Sequence, residues 1–196
     1  MNQYFDNNDN LDSKLRIIDY KYDQYSFSFY SDLGVFSKDH IDFGSKLLLE
    51  TYLKNRKDIS KCLDVGCGYG FIGISLAKIL NIEVDMIDIN NRALHLTDKN
   101  IKLNKVKAKV FLSDGYTNIN NRYDLIITNP PIRAGKQVVY NILFNGKKYL
   151  SEKGELWLVM RKDQGAKSAI KDLEKEYLVE IIVKNKGFYV ICLKND

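Results

Sequence analysis

From residue 61 onward the chain alternates short apolar runs with longer stretches of helical periodicity, and this alternation restricts the fold more than any other feature. Residues 61–65 read as a strand, 70–80 as a helix, 83–87 as a strand and 91–103 as a helix. The pattern continues with strands at 109–112 and 123–128, a helix at 136–150, a strand at 154–160 and a helix at 165–176. Two closing strands, 179–184 and 187–193, face each other across Asn185-Lys186 as a hairpin. Strands separated by helices lie parallel, the helices cover both faces of the sheet, and ligands collect at the carboxyl ends of the strands. The expectation is an α/β fold with a mostly parallel sheet and an antiparallel C-terminal hairpin.

Upstream, residues 15–36 alternate aromatic and polar side chains, with Tyr25, Phe27 and Phe29 on one side and Ser26, Ser28 and Tyr30 on the other. That is strand periodicity. A break at Gly34 leads through Ser37-Lys38-Asp39-His40 into an apolar periodic stretch over 41–53, a helix opened by a capping residue. A strand-helix extension should therefore precede the main sheet. Residues 1–13 are rich in Asn and Asp and read as a frayed end, with 14–196 as a single domain.

Composition narrows the class. Hydrophobic residues at 45% and charged residues at 28% are ordinary for a globular protein. The apolar runs fall far short of the roughly 20 residues that span a bilayer, and no basic-then-apolar leader opens the chain, so a cytoplasmic location is expected. Cys62, Cys67 and Cys192 form no Cys-x-x-Cys pair, and the two histidines, His40 and His95, are remote from them in sequence. They read as reduced structural thiols, with no metal site. A net charge of +5 allows a polyanionic partner without requiring one.

The chemistry concentrates at strand ends. Leu63-Asp64-Val65-Gly66-Cys67-Gly68-Tyr69-Gly70 lies between a predicted strand and a predicted helix. Glycines there let the backbone turn tightly and approach a ligand, and the helix start offers free N–H groups. The spacing Gly66, Gly68, Gly70 departs from the Gly-x-Gly-x-x-Gly dinucleotide pattern, since position 71 is Phe71. The Asp64 carboxylate would repel a pyrophosphate but suits a zwitterionic amino-acid tail. Asp88, followed by Ile89, ends the second strand, where a carboxylate accepts hydrogen bonds from ribose hydroxyls; it could equally cap the next helix with Asn90. Asp114-Gly115 follows the third strand, where an adenine would lie, although such a dipeptide also makes a plain turn.

Together these elements resemble the S-adenosylmethionine-dependent methyltransferases. The resemblance implies a seven-stranded Rossmann-like sheet with S-adenosylmethionine as cofactor. By position, Gly66, Gly68 and Gly70 would approach the methionine portion, Asp88 and Ile89 the ribose, and Asp114 and Gly115 the adenine.

Both prolines of the chain lie in Asn129-Pro130-Pro131-Ile132, at the end of the fourth predicted strand. Consecutive prolines stiffen a loop, and the Asn129 side-chain oxygen and Pro130 carbonyl could together grip both hydrogens of an exocyclic amine. An amine conjugated to a ring is a poor nucleophile, and two fixed acceptors favour its pyramidal, reactive geometry. This motif resembles the amino-methyltransferases of adenine, guanine and glutamine side chains, many of which carry Tyr or Phe where this chain has Ile132. Asn129 would then serve catalysis and also border the cofactor.

Gly34-Val35-Phe36-Ser37, with Asp42-Phe43-Gly44-Ser45 and Leu47-Leu48-Leu49, resembles the 16S rRNA guanine-N2 methyltransferases. That resemblance implies that Phe36, Asp42 and Gly44 close over the cofactor, and that the partner is RNA, either ribosomal RNA or the small ribosomal subunit. Arg133 and Lys136 would meet substrate phosphates, with Arg161, Lys162 and Lys167 on the same face. An ordinary solvated lysine-rich surface explains those cations equally well. The rival readings are a glutamine-N5 methyltransferase acting on protein, a small-molecule methyltransferase, and a non-catalytic module that keeps the fold; monomer and homodimer remain open.

Overall fold

The computed structural model describes residues 15–32 and 40–195. The expected frayed stretch at 1–13 lies outside the described residues, as do Gly34, Val35, Phe36 and Ser37.

The aromatic stretch is two strands rather than the single one expected. Strands β1 (Arg16–Tyr22) and β2 (Tyr25–Ser31) pair antiparallel, with Tyr22 opposite Tyr25. The turn occupies only Asp23 and Gln24, and Asp23 adopts a φ of 50°. So short a turn, without glycine or proline, leaves no gap in the aromatic pattern, so periodicity alone merges the two strands. Helix α1 (Phe43–Asn55) follows, capped by Asp42, whose Oδ2 accepts from the Ser45 N–H at 2.7 Å.

The remaining elements keep the expected order: β3 (Lys61–Val65), α2 (Phe71–Leu80), β4 (Glu83–Asp88), α3 (Asn91–Asn104), β5 (Ala108–Leu112), β6 (Tyr123–Thr128), α4 (Lys136–Gly146), β7 (Leu150–Arg161), α5 (Ala166–Leu173), β8 (Leu178–Asn185) and β9 (Phe188–Lys194). Seven strands form one sheet in the order β5-β4-β3-β6-β7-β9-β8. β9 runs antiparallel to both neighbours, and the β3 to β7 pairs are parallel. Strand order reverses between β3 and β6, and such a switch point opens a crevice at the carboxyl ends of the strands.

Several boundaries moved: α1 runs Phe43–Asn55 rather than 41–53, α5 stops at Leu173 rather than 176, and two further shifts have a clear physical reason. Helix α4 stops at Gly146, Lys147–Tyr149 form a 3-10 turn, and Leu150, fully buried, opens β7 opposite Tyr123 instead of ending the helix. Leu150 is apolar in either assignment, so periodicity cannot separate them. The last hairpin turns at Lys186 and Gly187, both at positive φ (46° and 81°), one residue later than expected. That is the backbone a two-residue hairpin turn demands, and glycine supplies its second position without strain.

The central strands of the sheet are buried on both faces, which is why they read as apolar runs, whereas the edge strands β5 and β8 hold no buried residue. Cys62, Val84, Met86, Leu125, Ile127 and Trp157 face the core under α1, α2 and α3. The alternate residues Leu63, Val65, Ile87, Ile126, Leu156 and Leu158 face the core under α4 and α5. The β1-β2 hairpin lies outside α2 and α3. Its Phe29 packs on Phe71 at 5.6 Å and on Tyr69 at 5.9 Å between ring centroids. Asn100 and Asn104, one turn apart on α3, stand in for a neighbouring strand. Asn100 accepts from Tyr30 N and donates to Tyr30 O, and Asn104 does the same with Ser28. No helix among the described residues is long and apolar enough to cross a membrane.

Candidate active site

The loop after β3 is shaped by its glycines. Gly66, Gly68 and Gly70 take φ values of 72°, 59° and 90°, a region that side-chain-bearing residues rarely adopt. A Cβ at Gly70 would also lie 2.8 Å from Ile74 Cδ1 and 2.9 Å from Thr97 Cγ2, whereas one at Gly66 would meet nothing within 4 Å. The backbone at Gly66 therefore fronts open space, room that a ligand can use.

Two carboxylates brace this loop. Asp64 lies on the α2 face of β3, is 1% exposed, and its Oδ2 accepts from the Gly73 N–H at 2.8 Å. Gly73 is required for that approach, since a Cβ there would come within 2.5 Å of Met86 Sδ. Burial pushes the Asp64 carboxyl up to about 7, with a smaller push from Asp88, against the pull of the Gly73 N–H. Asp88 ends β4, with Oδ2 accepting from Gly68 N and Oδ1 from Asn90 N, each at 2.9 Å. The capping alternative falls to its neighbour, since Asn90 caps α3 by accepting from Ala93 N. Ile89 beside it is 42% exposed, an apolar surface at the strand end where a sugar or base could rest. After β5, Asp114 is exposed and Gly115 has a φ of 53° within a turn closed by Thr117 N donating to Asp114 O.

Sequence reasoning missed the residues that hold the glycine loop from behind. Thr97 Oγ1 donates to Gly68 O at 2.7 Å, and Asn100 Nδ2 donates to Tyr69 O at 2.8 Å. The only signal was polarity on the inner face of a helix, at positions 97, 100 and 104 among apolar neighbours.

The second loop leaves the adjacent strand. Thr128, fully buried at the end of β6, donates its hydroxyl to Val65 O at 2.8 Å and so ties the two loops together. Asn129 follows, half-buried, with Nδ2 donating to Asp42 Oδ2 at 3.0 Å and to Ser45 Oγ at 2.8 Å. Both amide hydrogens are thereby used, which leaves Oδ1 as the face the side chain presents. Pro130 is buried, and its carbonyl accepts from Ile132 N at 2.9 Å. One lone pair of Pro130 O is thereby engaged, and a carbonyl has two. The Pro131 carbonyl is engaged as well, by Ala134 N.

Ile132 is half-buried and helps line a cleft with Val139, Tyr140 and Met160, edged by Gln164 and Ser168. Arg133 and Lys136 are both exposed, and Lys136 also lines the cleft. Lys136 rests over the Tyr140 ring at 4.6 Å and lies 4.0 Å from Asp172. Arg161, at the carboxyl end of β7, pairs with Asp163 at 2.8 Å. Lys162 and Lys167, which follow the carboxyl end of β7 in the chain, are exposed. Asp42 and Gly44 stand beside Asn129, and Gly44 is packed so closely that a Cβ would lie 2.9 Å from the Phe188 ring. Phe36 lies outside the described residues.

Cys62, Cys67 and Cys192 are free and buried, and burial drives the Cys62 and Cys67 thiols well above their ordinary range, which suits packing and opposes thiolate chemistry. Among the described residues no three His, Cys, Asp or Glu side chains are grouped to hold a metal ion.

Comparison with known proteins bears on the family and the fold. The Bacillus subtilis (strain 168) uncharacterized protein YbxB is 44% identical over 173 residues, covering 86% of each chain. Ribosomal RNA small subunit methyltransferase C of Buchnera aphidicola subsp. Baizongia pistaciae is 35% identical over 168 residues, 83% of this chain and 50% of that protein. This chain thus spans about half the length of the small subunit methyltransferases it matches. In fold, it superposes on the T. thermophilus 16S rRNA N2 methyltransferase RsmC, in complex with AdoMet and guanosine, with a TM-score of 0.82 at 23% identity, covering 93% of this chain and 51% of that one. A ribosomal protein L11 methylase from Lactobacillus delbrueckii shares the fold at a TM-score of 0.68 and 16% identity, over 81% and 85% of the two chains. The methyltransferase small domain family matches residues 26–192, and the chain belongs to that family of S-adenosylmethionine-dependent methyltransferases.

Proposed function

We propose that residues 14–196 form one domain that transfers a methyl group from S-adenosylmethionine to the exocyclic amine of a guanine in ribosomal RNA, in the cytoplasm. The observation that carries this reading is the Asn129 amide, which spends both hydrogens on Asp42 and Ser45 and turns a lone acceptor oxygen outward. An acceptor at that point, beside the second lone pair of the Pro130 carbonyl, suits an amine with two hydrogens.

Bound S-adenosylmethionine supplies a methyl carbon with sulfur as a neutral leaving group. The protein's part is orientation. Asn129 and Pro130 take hydrogen bonds from the amine, draw its lone pair out of conjugation and aim it at the methyl carbon. After attack the nitrogen carries a positive charge and releases one proton to water, which the weak basicity of the product amine makes easy. Asp64, the glycine loop and Ile89 favour the cofactor on the β3-β4 side. The cleft walled by Ile132, Tyr140 and Met160, which Ile132 joins to the Asn-Pro-Pro loop, offers an apolar surface for a flat ring. Exposed Arg133, Lys162 and Lys167 give that side a cationic rim suited to phosphates.

The test is transfer of labelled methyl to ribosomal RNA, isolated small subunits and release-factor protein, for the natural chain and Asn129→Ala. Label in RNA that digests to N2-methylguanosine and vanishes in the variant is expected. Label confined to protein would replace this reading with glutamine methylation, and cofactor binding without transfer to any substrate would leave a non-catalytic module.

A further inference from the structure

An amide has two faces of similar size, and only one of them accepts. Rotation of Asn129 by half a turn would exchange Oδ1 for Nδ2 and present donors to an amine that already carries donors. The surroundings forbid that rotation. Asp42 Oδ2 lies 3.0 Å from Nδ2, and a carboxylate has no hydrogen to give, so the exchanged amide would set two oxygens against each other. Ser45 Oγ, at 2.8 Å, takes the second amide hydrogen.

The clamp is itself held. The same Asp42 oxygen accepts the Ser45 N–H at 2.7 Å, and Asp42 O accepts from Lys46 N at 3.0 Å. The carboxylate is thus built into the first turn of α1. Gly44 leaves the space: a Cβ there would lie 3.0 Å from that carboxylate oxygen. Asp42 reaches Asn129 across 87 residues of sequence.

We infer that Asp42 and Ser45 are positioning residues which lock the Asn129 amide with Oδ1 toward the target amine, a role that rests on the reading of Asn129 as the amine's acceptor. Their effect appears in turnover rather than in cofactor affinity, because they act on the substrate-facing group.

The experiment separates this role from helix capping. Ser and Asn both cap helices well, but only Asn at position 42 keeps an acceptor long enough to reach Asn129. Asp42→Ser and Ser45→Ala are expected to lower kcat by about tenfold to a hundredfold, with S-adenosylmethionine Kd and Tm close to the parent, while Asp42→Asn restores most of the rate. Asn129→Asp at mildly alkaline pH sets two carboxylates together and is expected to be inactive. Combining it with Asp42→Asn leaves a reversed pair with one carboxylate instead of two facing each other, and should recover at least about tenfold over Asn129→Asp alone. Full kcat in Asp42→Ser, or a reversed pair no better than Asn129→Asp, overturns the inference. Because the reversed pair gains activity, it remains decisive even if Asp42→Ser folds poorly. Asn129→Ala that still transfers methyl would sink the acceptor reading itself, whereas an inactive Asn129→Ala beside a fully active Asp42→Ser sinks only the clamp.

Discussion

The glycine loop after β3 and the Asn-Pro-Pro loop after β6 leave the carboxyl end of the sheet side by side, yet they are held by different kinds of contact. The glycine loop is braced by groups close to it in the β3-α2-β4-α3 unit: Asp64 on Gly73, Asp88 on Gly68, Thr97 on Gly68 and Asn100 on Tyr69. Apart from its own short turns, the Asn-Pro-Pro loop depends on partners far off in the chain. Thr128 ties back to Val65, and Asn129 reaches Asp42 and Ser45 on α1. The glycine loop, the proposed cofactor cradle, is assembled from one βαβα stretch and can be rigid before anything else packs. The Asn129 amide, proposed to face the substrate, is oriented from α1 only once that helix has docked, so damage to the two regions should read out differently.

The largest difference should come from Asp64. Its carboxyl stands at about 7, pushed up by burial from an ordinary 3.8, so the folded protein binds more protons than the unfolded chain between those values. Its contribution is present in full below about pH 4 and is lost as pH rises through about 7, on the order of 4 kcal/mol at about 1.36 kcal/mol per unit. Asp64→Asn should remove that term. In cofactor-free protein the variant should match the parent near pH 4 and exceed it above pH 7, as denaturant melts at several pH values would show. Parallel curves for the two proteins would mean that Asp64 is solvated and the cradle looser than described.

Asp88→Asn comes next. It places an amide hydrogen where a backbone N–H needs an acceptor, so both Tm and S-adenosylmethionine affinity should fall, the latter by about a hundredfold on hydrogen bonds to a charged group of roughly 1.5–3 kcal/mol each. Asn129→Ala should lower Tm and S-adenosylmethionine affinity much less than Asp88→Asn while abolishing transfer, and calorimetry on the two variants sharpens the contrast. If Asn129→Ala lost cofactor affinity to the same degree, the two loops would be one functional unit.

Gly70→Ala tests the cradle's backbone. With φ at 90° and Ile74 and Thr97 within 2.9 Å of the new Cβ, a loss of about 2 kcal/mol is expected from thermal unfolding. A neutral result would show that the turn relaxes freely. The smallest effect belongs to the cationic rim: Arg133→Ala or Lys162→Ala should weaken RNA binding modestly and lower the salt slope by about one each. An unchanged slope would remove those side chains from the RNA path.

How much was legible follows the same division. The boundaries of β3 and β6 agree with the sequence reading because a short apolar run ending in glycines or prolines has few other places to stop. Asp64, the glycines, Asp88 and the Asn-Pro-Pro loop could be picked out because each sits at a strand end. The β1-β2 turn was invisible, since Asp23-Gln24 interrupts the aromatic pattern no more than a polar strand position does. The early stop of α4 was equally hidden, because Leu150 satisfies both a helical and a strand register.

The sequence by itself determined the alternation of strands and helices, and with it a parallel sheet, a switch point and the identity of the loops that border it, because periodicity and turn chemistry are local. Only the tertiary structure decided which polar groups meet. Thr97, Asn100 and Ser45 look in sequence like ordinary helical residues, and nothing local distinguishes them from solvent-facing ones. A buried hydrogen bond depends on the distance between atoms in the folded chain, and packing α1 and α3 against the sheet is what brings those atoms together.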